Sequence, residues 1–251
     1  MVISVVGAGN VATHLALRLH ESGHEIAVVW SRTQEAASQL AQRLGCPWTT
    51  DLQLLRTDVD IVLLCVKDSV LEQVAAYIKT SALCLHTAGS MPIAALPQQH
   101  RGVLYPMQTF SKERKADWEN IPVFLECEQD SDRPLLQTLA SALNDNHKFV
   151  DATQRTALHL AAVFACNFTN RCYDMASQVL EAHGLEFSAM LPLVDETAHK
   201  VHTLTPKDAQ TGPAIRWDEN VMNKHLAQLN GELKATYELL SQSIHKRHIN
   251  D

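Results

Sequence analysis

The chain has 251 residues, 46% hydrophobic and 20% charged, with a formal net charge of −7 at pH 7. That length suits one large domain or two modest ones. The negative balance disfavours a nucleic-acid or anionic-membrane surface, and no apolar run reaches the ~20 residues of a membrane span. The six cysteines (46, 65, 84, 127, 166, 172) form no CxxC pair. They read as reduced thiols of a cytoplasmic protein rather than a disulfide or zinc framework. Thirteen histidines show no HxH or HExxH grouping, so no metal site is expected.

The chain opens Met1-Val2-Ile3-Ser4-Val5-Val6-Gly7-Ala8-Gly9-Asn10-Val11-Ala12. A short apolar strand ends in Gly-x-Gly and a helical pattern starts at once, as in a dinucleotide-binding βα turn. Gly7 lets the chain turn, and Gly9 lets backbone approach a pyrophosphate. The amides of Asn10 and Val11 then face the anion from the helix N-terminus. With no basic region before that strand, the segment is not read as a signal peptide. The first helix is expected from about Asn10 to Ser22, closed by Gly23.

Glu25–Trp30 is the second strand. NAD-preferring proteins place an Asp or Glu just after it for the ribose 2′-hydroxyl. This chain has Ser31-Arg32-Thr33, and a guanidinium matches a 2′-phosphate. NADP is therefore favoured over NAD, with a solvated surface charge as the bland alternative for Arg32.

A second helix is expected over Thr33–Leu44, stopped by Gly45, then a short strand within Cys46–Thr49. Asp60–Val66 reads as a buried parallel strand. Asp68 or Ser69 can cap a helix over Val70–Lys79. Ala82–His86 is the fifth strand. The alternation of strand and helix predicts a parallel, doubly wound α/β sheet. Its ligands then lie beyond the strand ends, in one cleft formed by Gly7–Val11, Ser31–Thr33, Val66–Asp68 and Thr87–Ser90. Val66 and Lys67 are assigned to the cofactor, with solvation the alternative for Lys67. Ser90 either binds substrate or serves as a helix cap or turn residue.

Gly102–Gln108, Ile121–Cys127 and Lys148–Val150 extend the sheet, with a helix over Arg133–Leu143. Tyr105 and Gln108 lie near the cleft, with Tyr105 read as core and Gln108 as a substrate contact. The expected boundary falls here: residues 1–151 as the dinucleotide-binding domain and 152–251 as an all-helical substrate and dimerisation domain. Helices are expected over Thr153–His183, Ser188–Val201, Asp218–Leu229 and Glu232–Lys246. Arg216, in the loop before the third of these, either clamps a substrate carboxylate or is a surface charge. About 100 helical residues enclose little core of their own, which points to a homodimer through this half.

The long helix carries His159, Asn167, Asn170 and Asp174 on an otherwise apolar run. At ~100° per residue they share a sector of about 80°. Buried polar groups need partners, so the stripe either faces the nicotinamide end of the cleft or forms a polar seam between helices or subunits. In the first case His159 is the general acid, and Asn167 and Asn170 hydrogen-bond a developing oxyanion.

Several motifs together resemble one family. VVGAGNVATHLA, SRT, CVKD, HTAGS, YPMQTFS, HLAAVFACNFTN and QTGPAIRWD are similar to the Rossmann-like proteins with a DUF2520 C-terminal domain. These resemble pyrroline-5-carboxylate reductase, F420-dependent NADP oxidoreductase and the β-hydroxyacid dehydrogenases, with a 6-phosphogluconate-dehydrogenase-like helical half. The resemblance implies an NADP-dependent oxidoreductase acting on a C=O or C=N of a small metabolite, and a dimer. It names no substrate. In the β-hydroxyacid dehydrogenases the long helix carries a catalytic Lys one turn before an Asn. Aligning that Asn on Asn167 puts Val163 at the Lys position, and His159 substitutes for the Lys by position alone. The missing Lys keeps open a non-catalytic NADP(H)-binding regulatory dimer. A structural protein with a vestigial fold would bind no nucleotide.

Overall fold

The computed structural model describes residues 1–249. β1 (Val2–Val6), α1 (Asn10–Glu21), β2 (Glu25–Trp30), α2 (Gln34–Leu44), β3 (Trp48–Thr49), β4 (Ile61–Leu64), α3 (Asp68–Tyr77) and β5 (Leu83–His86) alternate as expected. β6 (Arg101–Pro106), β7 (Val123–Cys127), α4 (Arg133–Leu143) and β8 (His147–Phe149) follow. The eight strands form one sheet in the order β3-β2-β1-β4-β5-β6-β7-β8. Pairing is parallel from β3 to β6, antiparallel between β6 and β7, and parallel again between β7 and β8.

Each inner strand is apolar on both faces. In β4, Ile61 and Leu63 join one core cluster with α1, α2 and α4, while Val62 and Leu64 join a second with α3. Burying one such side chain contributes ~1.5–3 kcal/mol. This two-sided burial is what a parallel strand between helical layers requires.

Two elements differ from the sequence reading. The helix after β4 starts at Asp68, with Lys67 at its N-cap and no side-chain cap bond. Asp68 sits in its first turn, where a negative charge suits the helix dipole. The expected single helix over 153–183 is α5 (Ala152–Ala162), a π-helical turn (Val163–Phe168) and α6 (Thr169–Glu181). A π turn takes in an extra residue without breaking the helix. The run contains neither Gly nor Pro to mark it.

The chain forms two compact units that meet at Asn167 and Phe168, later than the 151/152 boundary expected from the sequence. α5 belongs to the first. The second holds α6, α7 (Leu191–Lys200), α8 (Pro213–Arg216), α9 (Glu219–Leu226) and α10 (Gly231–Ile249). α9 is capped as expected by Asp218, which accepts from the Val221 amide at 3.2 Å. Within this unit Arg171 pairs with Asp174 and with Glu232. Its apolar residues are mostly at the surface, with Ala214 and Met222 buried. Among the described residues no helix is long and apolar enough to cross a membrane.

Candidate functional site

The first part of the site is the β1–α1 turn. Gly7 has φ 120°, and a Cβ there would lie 2.5 Å from the Cys65 carbonyl oxygen. Only glycine fits, because φ is forbidding and the neighbour is backbone. Gly9 is the N-cap of α1, has no side-chain cap bond, and nothing lies within 4 Å of where its Cβ would be. The first-turn amides of α1 therefore end in an open cradle of the kind that takes a phosphate. The Asn10 carboxamide donates to the Phe110 carbonyl at 2.8 Å, which leaves its backbone amide for an anion. That bond, with His14 against the Ser111 carbonyl at 2.9 Å, ties the loop after β6 to α1. Half-buried Ser31 and exposed Arg32 follow β2, and Val66 and exposed Lys67 follow β4. These residues suit a dinucleotide with a 2′-phosphate.

The second part is set by α5. A capping box starts this helix: Asp151 accepts from the Gln154 amide, and Gln154 accepts from the Asp151 amide. That fixes Arg155 one turn in and His159 a further turn on, on one face. Arg155 is fully buried. Its Nε donates to Glu126 on β7 at 2.8 Å and its Nη1 to the Gly89 carbonyl at 2.6 Å. One guanidinium thus holds α5, β7 and the loop after β5 together. Removing it would leave the Glu126 carboxylate nearly buried and unpaired, at about 3–5 kcal/mol. His159 then meets Tyr105 of β6, with Oη and Nδ1 3.3 Å apart. Gly89 lies beneath both rings; a Cβ there would be 2.6 Å from His159 Nδ1 and 2.9 Å from Tyr105 Cζ.

Gly89, Tyr105 and His159 line a cleft of about 590 Å³ within the first unit. Val11 marks the end next to the glycine turn. Asp68, Tyr105, Gln108, His159 and Asn167 bring polar groups to it, while Leu158, Ala161, Ala162 and Val163 give an apolar wall. Val11, Gln108, His159 and Asn167, proposed separately from the sequence, come together here. Ser90 is exposed, and its hydroxyl donates to Asp68 at 2.5 Å. Asn170 and Arg216 lie in the second unit and are exposed. Asp174, on the same predicted stripe, is satisfied locally by Arg171 and Gln178.

Burial dominates the titrating groups. It lowers His86 to about 4, assisted by repulsion from Arg155, and the Nδ1 of that ring accepts the Ala88 amide at 3.2 Å. Burial raises Tyr105 although Arg155 opposes it. It pushes the Cys65 and Cys84 thiols to about 12, so neither is a nucleophile near neutrality. Asp68 belongs to the cleft loop Val66–Asp68 named from the sequence. Arg155 escaped sequence reasoning. The signal available for Arg155 was its place one turn past the Asp151–Gln154 capping-box pattern.

The model described as "NADP oxidoreductase coenzyme F420-dependent" matches residues 2–84, and the one described as "Domain of unknown function (DUF2520)" matches residues 121–244. The chain is 46% identical to the protein described as "putative NADP oxidoreductase BF3122 from Bacteroides fragilis", covering 98% of both chains with a TM-score of 0.91. The imine reductase from Myxococcus stipitatus, solved with NADP+, aligns over 99% of this chain and 96% of its own, with TM-score 0.68 at 17% identity. That likeness establishes the fold. Glucose-fructose oxidoreductase domain-containing protein 2 from Xenopus tropicalis is 33% identical over 95 residues, 36% of this chain. The chain spans 25% of that relative's length. An open phosphate cradle, a cleft beyond the strand ends and a near full-length match converge on one assignment: the chain belongs to the NADP oxidoreductase family that joins a Rossmann nucleotide-binding half to a DUF2520 helical half.

Proposed function

We propose that the protein binds NADPH across the carboxyl ends of the strands and reduces a C=O or C=N of a small metabolite in the cleft beside His159. The carrying observation is the continuity of the cleft from Val11, at the glycine turn, to His159 and Asn167. The α1 amides past Gly9 hold the diphosphate, and Ser31 and Arg32 hold the 2′-phosphate. Val66 and Lys67 border the cofactor. Bound NADPH supplies a hydride to the carbonyl or imine carbon, whose π pair moves onto oxygen or nitrogen. His159 delivers the proton to that atom. It does so as imidazolium, from Nε2, and is left neutral with its remaining proton on Nδ1, which faces the Tyr105 hydroxyl at 3.3 Å. Asn167 hydrogen-bonds the substrate heteroatom; Asn170, Gln108, Ser90 and Arg216 remain candidate substrate contacts. The domain division at 151/152 is retained as the functional one, with a homodimer formed through the helical half. Six free cysteines fit a reducing cytoplasmic setting.

Titration of NADPH fluorescence tests the cofactor assignment. Arg32→Ala is expected to weaken NADPH about tenfold, the loss of one charge-assisted contact, and to leave NADH unchanged. Equal NADPH affinity in the variant would remove the 2′-phosphate claim. His159→Ala should lower turnover ~100-fold or more while NADPH still binds. Tight NADPH binding with no turnover of any carbonyl or imine would return the non-catalytic reading, which Val163 at the expected Lys position favours.

A further inference from the structure

The cleft has a definite charge. Asp68 is the one carboxylate facing it, and among the described residues no Lys or Arg lines it. Asp68 is held in place from two sides: it opens α3, and Ser90 donates to its Oδ2 at 2.5 Å. Its Oδ1 accepts no hydrogen bond among the described residues. Arg155, the cation behind the loop, is fully buried and does not line the cleft; its Nε donates to Glu126, its Nη1 to the Gly89 carbonyl, and its buried Nη2 has no partner among the described residues. Leu158, Ala161, Ala162 and Val163 give the cleft an apolar wall.

A substrate carboxylate entering this cleft would lose water, gain no cation, and approach Asp68. Asp68 is itself exposed, and like-charge juxtaposition in a cleft with no lining cation selects against such a ligand. A protonated nitrogen gains where the carboxylate loses, and the apolar wall takes its carbon body.

We infer that the cleft selects an amine–iminium couple on a compact apolar body and rejects carboxylate-bearing acceptors, with Asp68 as the selecting charge. This rests on the reading above and narrows its substrate class. The couple differs by one hydride, which the cofactor supplies to the iminium carbon while the C=N π pair moves onto nitrogen. A neutral imine takes its proton from His159.

The test uses the NADP+-loaded protein and calorimetry at pH 7.5. 2-Methylpyrrolidine and proline share a ring, and differ by a methyl against a carboxylate. The amine is expected to bind at least about tenfold more tightly than proline, a gap of about 1.4 kcal/mol. Asp68→Asn should erase that gap while leaving NADPH affinity and the melting temperature unchanged. Glu72→Gln, which removes an exposed carboxylate of α3 that does not line the cleft, should preserve it. Proline binding as tightly as the amine, neither ligand binding, or an unaltered gap in Asp68→Asn would each overturn the inference. In all three cases normal NADPH titration keeps the oxidoreductase reading standing. A flat NADPH titration would instead bring down that underlying reading.

Discussion

His86 shows how one buried side chain sets a pH dependence. It closes β5, is fully buried, and accepts the Ala88 amide, so it orders the start of the loop that ends at Ser90. Burial and Arg155 lower its folded pKa to about 4 from an unfolded value of 6.5. Between those values the unfolded chain takes up the proton and the native ring does not. Stability from His86 is therefore complete above pH 6.5 and lost as pH falls through 6.5 toward 4, by up to ~3 kcal/mol. Urea unfolding at a series of pH values checks this. His86→Asn, which keeps an acceptor for Ala88, should be less sensitive to acid over that window than the wild type. Parallel profiles would disprove it. Nothing in HTAGS signalled this: a histidine closing a strand reads equally as surface, core or ligand, and only its neighbours decide.

At the scale of elements, the sheet was largely legible. Unbroken apolar runs such as Ile61–Leu64 have few alternatives to a buried strand, and helix stops at Gly23 and Gly45 carry their own chemistry. The direction of β7 was not legible, because Val123–Cys127 has the same pattern whichever way it runs. The π turn was not legible either, and it changed the candidate site. A wheel of constant pitch puts His159, Asn167, Asn170 and Asp174 on one face. An extra residue per turn after Val163 ends that phase relation. His159 and Asn167 line the cleft; Asp174 bonds within α6. The loop after β5 gives a sharper test of the site than the stripe does. A methyl at residue 89 would intrude on the rings of His159 and Tyr105. Gly89→Ala should lower kcat by ~10- to ~100-fold through misplacement of the acid. NADPH affinity should stay within about twofold. Wild-type kcat in that variant would mean that His159 does not serve as the acid.

For the molecule as a whole, the two units differ in how they are held together. The first is built on two dense clusters, one on each face of the sheet. The second exposes Leu185, Leu191, Leu193, Val201, Leu204, Leu239 and Leu240, each more than 40% accessible. A small helical unit with that surface lacks the interior to stand alone in water. Sedimentation velocity should therefore give a dimer, and Leu193→Glu together with Leu239→Glu should shift it to monomer or to aggregate. A monomeric wild type at micromolar concentration would refute the helical-half dimer. The family assignment itself needed many short motifs at once, since Gly-x-Gly by itself is common to most nucleotide folds.

Arg155 lies late in the chain, yet it completes a loop whose residues come some 65 positions earlier, since it donates to the carbonyl of Gly89. During synthesis the eight strands emerge before it does. A nascent chain halted at 151 would have its whole sheet but no clasp for that loop, and Glu126 would wait without its counter-ion. The loop is thus clasped only after the scaffold is complete, when the first turn of α5 leaves the ribosome.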